Sequence, residues 1–144
     1  MLRDLHALPV ADCPFDRRLA VTIAEAEGVA RAGRVDIEAL DAARAGWSAE
    51  RLLAELHATR PRAAEDLVVG HGDPCRPNIL FDDRGRVTGV LDVGRLGVAD
   101  RHNDLAIATR NLGARWSPAL LAAYGLPAPD PARIAFYRLL DEFY

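Results

Sequence analysis

In HGDPCRPNILFDDRGRVTGVLDVG, residues 71–94, polar residues recur around short apolar runs, and this pattern is the most informative of the chain. Asp73 lies between a glycine and a proline, Asn78 follows five positions later, and Asp92 begins an Asp-x-Gly triplet. The runs NILF and VTGVLDVG are typical of short strands, and DDRG between them is typical of a hairpin turn. We therefore predict a β-hairpin that brings the three polar side chains together at one end.

Helical patterns flank this hairpin on both sides. Apolar residues at helical spacing, each set preceded by a capping residue, predict helices that begin at Asp16, Asp36, Ser48, Asp100 or Asn103, Ser117 and Asp130. The ends that we predict lie at Gly33 for the first helix, Gly46 for the second, about Leu112 for the fourth and Tyr144 for the last. The chain is thus expected to be mainly helical, with a small β insert in the middle.

Composition bounds the class of protein. A chain of 144 residues with 50% apolar residues can bury the core of one globular domain. A net charge of −3 argues against a general nucleic-acid binder, which needs a basic face. Cys13 and Cys75 provide neither a disulfide framework nor a cluster of metal thiolates, which fits a reducing cytoplasm. The first residues lack the basic and apolar regions of a signal peptide, and no apolar run approaches about 18 residues, so neither secretion nor membrane spanning is expected.

The polar residues of the hairpin suggest a chemistry when they are considered as a set. Each of them alone is compatible with a turn in which the side chain bonds its own backbone. Together, an Asp, an Asn five positions later and an Asp-x-Gly after a hairpin match the spacing of a kinase catalytic loop and its metal-binding Asp. In phosphoryl transfer a carboxylate orients the attacking hydroxyl, which suits Asp73. The oxygens of Asn78 and Asp92 are ligands that Mg²⁺ prefers.

Two long segments then resemble a known family. They are VVGHGDPCRPNILFDDRGRVTGVLDVGRLGVADRHNDLAIATRNL and YGLPAPDPARIAFYRLLDEFY, and they resemble the C-terminal part of aminoglycoside 3′-phosphotransferases, which are antibiotic-resistance kinases. Those enzymes similarly carry His-Gly-Asp with Asn five positions on, Asp-x-Gly-Arg-Leu-Gly, Asp-Arg before a helix, and Asp-Glu followed by aromatic residues at the end. The CPFD motif at residues 13–16 is also similar, so the resemblance spans most of the chain.

The resemblance implies a fold and a set of roles. The fold is α+β and mainly helical, the C-terminal lobe of a protein-kinase-like fold, with a small β-hairpin that carries the catalytic and metal-binding loops. Asp73 is implied as the catalytic base, and Asn78 and Asp92 as ligands of Mg²⁺, with ATP as the phosphoryl donor. His71, Asp100 and Asp104 are expected to support the structure, His71 by holding the loop and the two acids by stabilising the dipole at a helix N-terminus.

Acidic residues suggest where a cationic substrate would bind. Asp36, Glu38 and Asp41 form one group, and Asp141, Glu142 and the terminal carboxylate of Tyr144 form another. Either group can simply be a solvated face, although carboxylates at the end of a helix are electrostatically unfavourable. Aminoglycosides carry several ammonium groups, which an acidic cleft would attract. The substrate-binding residues that we predict are Asp41, Arg95, Arg110, Asn111, Asp141, Glu142 and Tyr144.

The domain prediction is one domain, residues 1–144, that corresponds to the C-terminal lobe of such a kinase. The N-terminal nucleotide lobe, with its glycine-rich loop and phosphate-binding Lys, is not found in the sequence, so the chain is expected to be inactive alone. Two alternatives stay open: a non-catalytic remnant or binding module for polycationic sugars, and a kinase for another small hydroxylated amine. The lobe's nucleotide-facing surface is expected to expose apolar area, which favours self-association.

Overall fold

The computed structural model describes all 144 residues and is about half helical. The α-helices are α1 (Leu2–His6), α2 (Leu19–Arg31), α3 (Ala49–Ala58), α4 (Arg101–Tyr124) and α5 (Pro131–Leu140). The strands are β1 (Leu67–Gly70), β2 (Ile79–Phe81), β3 (Val87–Val90) and β4 (Gly97–Asp100). Short 3-10 turns cover Val10–Asp12, Ala42–Arg44, Arg76–Asn78, Val93–Arg95 and Asp141–Phe143. The predicted α+β, mainly helical fold is confirmed.

The strands form two separate antiparallel pairs. β2 and β3 form the predicted hairpin, with Ile79 opposite Val90. Its turn is fixed by Asp82, whose carboxylate accepts hydrogen bonds from the backbone N–H groups of Arg84 and Arg86, both at 2.9 Å. β1 pairs with β4, and Gly70 lies opposite Gly97 at the inner end of that pair. Residues 71–96, which include the whole motif-bearing segment, therefore lie between β1 and β4, and the pairing of these two strands holds the ends of the segment together.

The main hydrophobic core lies between α2, α3 and α5, away from the hairpin. Its buried members are Leu19, Ile23, Ala26, Leu52, Leu56, Ala106, Phe136, Tyr137, Leu139, Leu140 and Phe143. Burying one large apolar side chain contributes about 1.5–3 kcal/mol, so this cluster dominates the stability of the fold. A smaller cluster packs α1 against α4 and consists of Leu2, Leu105, Ala108, Leu121 and Tyr124. The two clusters hold α4 in place, and α4 in turn positions the loop that follows β1.

Capping side chains begin three of the helices as predicted. Ser48 Oγ accepts from the N–H of Arg51 at 3.2 Å, and Asp130 accepts from the N–H of Ala132 at 2.8 Å. Asp100, rather than Asn103, caps α4. These side chains satisfy N–H groups that the first turn of a helix leaves without partners.

The first predicted helix differs slightly at its start. α2 begins at Leu19 rather than beside Asp16, whose carboxylate instead accepts from the N–H of Arg18 at 2.9 Å. Its end is as predicted, because Gly33 follows with a positive φ of 62°.

The predicted helix from Asp36 to Gly46 is wrong. Only a 3-10 turn, Ala42–Arg44, forms in this segment. The Asp36 carboxylate accepts from the N–H of Ala39 at 3.2 Å, and the Asp41 carboxylate accepts from the N–H of Ala43 at 2.9 Å. Such local bonds from Asp side chains compete with helix formation, which explains the difference.

Two further helix boundaries also differ from the prediction. Gly113 is non-helical (φ 69°, ψ 175°) and breaks α4 directly after Leu112, so the predicted helix end near Leu112 is confirmed, whereas the helical stretch that continues to Tyr124 begins before Ser117. Ser117 Oγ donates to the carbonyl of Gly113 at 2.7 Å and so compensates part of that break. The last helix ends at Leu140, and a 3-10 turn continues the chain toward Tyr144.

Candidate active site

The loop after β1 is held by its backbone. Asp104 of α4 accepts hydrogen bonds from the N–H groups of His71 at 2.7 Å and Gly72 at 2.9 Å. The Nδ1 atom of His71 accepts from the N–H of Asp73 at 3.3 Å. Gly72 has a φ of 89°, and a Cβ atom there would lie 2.2 Å from the carbonyl oxygen of Arg95. Only glycine fits that position, because any side chain would collide with the Arg95 backbone.

Asp73 is oriented by two neighbours and still reaches solvent. The side-chain amide of Asn78 donates to the Asp73 carbonyl at 3.0 Å and to its Oδ2 at 3.2 Å. Arg95 Nη2 lies 3.1 Å from the same Oδ2, and the Asp73 side chain is 24% exposed. A carboxylate fixed through one oxygen at the edge of a cleft is suited to orient a hydroxyl and accept its proton.

Cys75 lies beside Asp73 but is a poor nucleophile. Burial raises the pKa of the Cys75 thiol, and a hydrogen bond and the negative charge of Asp73 raise it further. The thiolate is the reactive form of cysteine, so a raised pKa keeps this thiol protonated and unreactive at neutral pH.

Asp92 has the backbone conformation of a strained functional residue. With φ 51° and ψ 59° it is the one non-glycine residue of the chain with a positive φ. The N–H of the preceding residue, Leu91, donates to the carbonyl of Asn78 at 2.9 Å, so Asp92 and Asn78 are neighbours across the end of the hairpin. Left-handed backbone at an Asp costs about 1–3 kcal/mol and is concentrated at functional sites.

The donor set of these two residues fits a magnesium ion. The amide N–H groups of Asn78 are directed to Asp73, which leaves its amide oxygen available. Asp92 is exposed and supplies a carboxylate. No three His, Cys, Asp or Glu side chains form a metal cluster anywhere in the chain. A site with two protein oxygens fits Mg²⁺, which usually keeps several waters and binds substrate phosphates as well.

An acid-rich cleft of about 480 Å³ lies next to Asp73. Its lining includes every substrate-binding residue that we predicted, so the structure brings together Asp41, Arg95, Arg110, Asn111, Asp141, Glu142 and Tyr144. Asp36 also lines the cleft, whereas Glu38 does not. The lining contains five carboxylates and two guanidinium groups, so its charge is negative.

Besides Asp73, two of these acids are held in ion pairs. Asp141 is nearly buried and contacts Arg110 and, at 2.9 Å, Nη1 of Arg95. Glu142 is nearly buried and contacts Arg44 at 2.9 Å and the N–H of Asp41 at 3.1 Å. Glu142 therefore also holds the 41–44 turn against the end of the chain, a structural task in addition to any contact with a ligand.

Tyr144 is fixed by its hydroxyl rather than free in solvent. The hydroxyl donates to Glu25 Oε2 at 3.0 Å and lies 3.2 Å from the carbonyl of Thr22. The guanidinium of Arg95 lies 5.1 Å from the centre of its ring, within cation–π distance. Burial, followed by the hydrogen bond to Glu25, raises the pKa of Tyr144, so the hydroxyl stays protonated.

Asp100 has the supporting contacts expected of it, and more. Besides capping α4, its buried carboxylate pairs with Arg133 and with Nδ1 of His102 at 2.7 Å. Burial alone would raise the pKa of Asp100, but hydrogen bonds from His102 and from the N–H of Asp66 outweigh it, and the pKa is lowered.

Two contact residues were missed by the sequence reasoning. His6 contacts Asp104 and Arg44 contacts Glu142, and each pair is separated by 98 residues. No local pattern marks either residue, because each acquires its partner only through the tertiary fold.

This chain is similar in sequence to known phosphate-transferring enzymes. The family described as Phosphotransferase enzyme family matches residues 1–137. This chain belongs to that family. Within the phosphotransferase family, an aminoglycoside 3′-phosphotransferase of Streptomyces fradiae is 51% identical, and the match covers 100% of this chain and 57% of the relative. One from Escherichia coli is 40% identical over 99% of this chain and 53% of the relative. A streptomycin 3″-kinase of Streptomyces griseus is 41% identical over 97% and 56%.

Solved structures of phosphotransferases give the same result. A type VIII aminoglycoside-3′-phosphotransferase superimposes with a TM-score of 0.94 at 52% identity, covering 99% of this chain and 57% of the other. The Streptomyces rimosus phosphotransferase APH(3″)-Id in complex with ADP and streptomycin gives 0.86 at 36%, covering 99% and 58%. The chain thus spans a little more than half the length of these relatives. The resemblance inferred from the sequence and the kinase-like fold are confirmed.

Proposed function

We propose that residues 1–144 form the catalytic-loop and substrate-binding part of a kinase that transfers the γ-phosphoryl group of ATP to the 3′-hydroxyl of an aminoglycoside. The observation that carries this proposal is the position of Asp73 at the edge of a cleft lined by five carboxylates. An acidic cleft of this size attracts and orients a polycationic sugar, and Asp73 then meets one of its hydroxyls. Relatives named as aminoglycoside 3′-phosphotransferases support the choice of substrate.

The chain's own residues have distinct tasks in this reaction. Asp73 orients the hydroxyl and accepts its proton, while Asn78 and Arg95 keep its carboxylate in place. Asn78 and Asp92 would hold Mg²⁺, which when bound neutralises charge on the transferring phosphoryl group. Asp141 and Glu142, which line the same cleft, would face the ammonium groups of the sugar. A catalytic site assembled this way works mainly by positioning and charge.

The nucleotide-gripping elements belong to a further lobe in this proposal. All 18 basic residues of the chain are arginines, so it has no lysine that could bind the nucleotide phosphates in the usual way. We therefore expect the 144-residue chain alone to phosphorylate kanamycin only at trace level with ATP and Mg²⁺. Robust turnover by the chain alone would show that it needs no additional lobe.

The decisive experiment joins this chain to the N-terminal part of the S. fradiae relative and measures phosphorylation of kanamycin. In the joined enzyme, Asp73→Asn should lower kcat by a factor on the order of 10² or more. Asp83→Asn is the matched control, because Asp83 is exposed in the hairpin turn and should leave kcat unchanged. Near-full activity of Asp73→Asn would reject the assigned base.

The alternatives give different results in the same assay. If the joined enzyme is inactive while the 144-residue chain binds kanamycin, a binding module for polycationic sugars is the better description. Phosphorylation of choline in preference to kanamycin would indicate an amine kinase. Because one relative is named a streptomycin 3″-kinase, streptomycin should be compared with kanamycin to locate the accepting hydroxyl.

Two further aspects complete the proposal. We propose that the reaction takes place in the cytoplasm, where ATP and reduced thiols are found. None of the five helices combines the length and apolar character needed to cross a bilayer.

Self-association is proposed through apolar side chains exposed on and beside the hairpin, namely Leu80, Phe81, Val87, Leu91 and Val93. Light scattering of the 144-residue chain tests this, and a strictly monomeric chain would refute it.

A further inference from the structure

The first helix reaches the catalytic loop through one histidine. The His6 side chain of α1 is 3% exposed, and its Nε2 lies 3.0 Å from Oδ2 of Asp104. Its Nδ1 lies 2.7 Å from the hydroxyl of Tyr124, and the two rings meet edge to face with centres 5.5 Å apart. The imidazole is thus bound on both sides by residues of α4.

The neighbours of His6 fix the direction of these hydrogen bonds. Burial raises the pKa of the Tyr124 phenol, so its hydroxyl stays protonated and can donate to Nδ1. Arg101 donates to the phenol oxygen at 3.2 Å, which leaves the hydroxyl proton free to point at the imidazole. With Nδ1 as acceptor, the proton of a neutral His6 is on Nε2, where it is donated to Asp104.

Asp104 needs that third donor. Its side chain is 1% exposed, and its other two hydrogen bonds come from the N–H groups of His71 and Gly72. A buried carboxylate is stable only when its oxygens are well supplied with donors, and its orientation depends on all of them. Oδ2 accepts from both His6 and His71, so removing His6 changes the balance on the oxygen that holds the loop.

We propose that His6 is a positioning residue: by donating to Asp104 it fixes the carboxylate that holds the backbone of His71 and Gly72, and so aligns Asp73 for phosphoryl transfer. The catalytic consequence rests on the function proposed above, whereas the effect on the loop backbone does not. His6 is not among the residues that line the cleft. Its effect should therefore fall on the rate of the chemical step and not on substrate binding.

The activity test compares His6→Phe and His6→Gln in the joined enzyme. Phe keeps a ring but cannot donate, so we expect kcat to fall by about 10-fold to 100-fold, as for other residues that support a site from outside it, with the KM for kanamycin within about twofold. Gln can place an amide N–H near the position of Nε2 and should recover most of kcat. The control is His57→Phe, because His57 lies partly exposed on α3 and contacts Glu27. A changed KM with unchanged kcat, or no recovery by Gln, would contradict a positioning role.

Amide hydrogen exchange in the 144-residue chain separates this inference from the proposed function. His6→Phe should speed the exchange of the His71 and Gly72 amides by at least several-fold, with exchange in α2 and α3 unchanged. Tyr124→Phe, which leaves the imidazole in place but removes its donor, should give a smaller change in the same direction and carries the test if His6→Phe fails to fold. If the joined enzyme has no activity, the proposed function fails while the amide data still decide on His6. Unchanged exchange at both amides would overturn the inference.

Discussion

Arg95 Nη2 lies 3.1 Å from the carboxylate of Asp73, and Nη1 of the same guanidinium lies 2.9 Å from Asp141. One planar cation therefore connects the assigned base to a second acid of the cleft lining. A substrate ammonium group that binds Asp141 would compete with this contact. Binding in the cleft and orientation of Asp73 are thus physically linked through Arg95.

We predict that Arg95→Lys lowers kcat by an order of magnitude, because an ammonium group cannot bridge two carboxylates as a planar guanidinium does. The measurement is steady-state phosphorylation of kanamycin by the joined enzyme. Arg86→Lys is the matched control, since Arg86 is 71% exposed and pairs only with Asp82 of the hairpin turn. Equal losses in the two variants would mean that the bridge has no specific role.

Asp92 should govern the dependence on magnesium. We expect Asp92→Asn to lower kcat by about 10² and to raise the Mg²⁺ concentration that gives half-maximal rate, because a hard cation loses a charged oxygen ligand. The rate is measured over a Mg²⁺ titration, with Asp83→Asn as the comparison. A variant with the same Mg²⁺ dependence as the unchanged enzyme would remove Asp92 from the metal site.

Asp141 should contribute to binding of the aminoglycoside. A charge-assisted hydrogen bond contributes about 1.5–3 kcal/mol, so Asp141→Asn should raise the Kd for kanamycin at least tenfold. Calorimetric titration of the 144-residue chain measures this directly. Glu142→Gln should weaken binding less, because Glu142 is committed to Arg44 and the backbone of Asp41. Both variants should lower the melting temperature, since Asp141 in turn holds Arg95 and Arg110. The opposite ranking would assign recognition to Glu142.

Asp100 should make the stability of the fold depend on pH. Its pKa is lowered below the ordinary value of 3.8, so the folded state favours the charged form. The stabilisation is complete above about pH 4 and is lost as the pH falls through the lowered pKa. Asp100→Asn should therefore melt at lower temperature at pH 7 and lose less on acidification than the unchanged chain. Asp12→Asn, at an exposed site, serves as the control, and parallel curves for Asp100→Asn would disprove the effect.

Gly72 should tolerate no side chain. Gly72→Ala would place a Cβ atom 2.2 Å from the Arg95 carbonyl, so we expect loss of soluble protein or of activity by more than 10². Gly85→Ala is the matched control, because Gly85 also has a positive φ of 73°, but a Cβ atom added there would have no neighbour within 4 Å. That variant should cost only about 1–2 kcal/mol in the free energy of unfolding. Similar losses for both would show that backbone conformation, not the collision, is limiting.

Local signals in the sequence were sufficient for much of the fold. The caps at Ser48 and Asp130 and the hairpin turn at Asp82 involve partners two to four residues away, so a short window contains the whole interaction. The predicted helix from Asp36 failed for a related reason: its acids form equally local bonds to the backbone that a periodicity argument does not weigh.

The sequence allowed us to predict which residues come together at the candidate site, but not how they are held there. Spacing and family resemblance selected Asp73, Asn78 and Asp92, and the acids of the cleft followed from charge. The contacts that orient them were not predictable, because Asp104 reaches the loop from 33 residues away and His6 reaches Asp104 from 98. Such pairs depend on how α1 and α4 pack, which no local pattern specifies.

The pairing of Gly70 with Gly97 closes the base of the segment that carries Asp73, Asn78 and Asp92. Residues 71–96 leave and re-enter the fold at this one strand pair, while the main core between α2, α3 and α5 lies elsewhere. An excursion with few core contacts can open as a cooperative unit at a cost below that of global unfolding. Heat or mild denaturant would then displace Asp73 and its neighbours in molecules whose helices are still intact, so the helical signal alone is a poor measure of whether the proposed site survives.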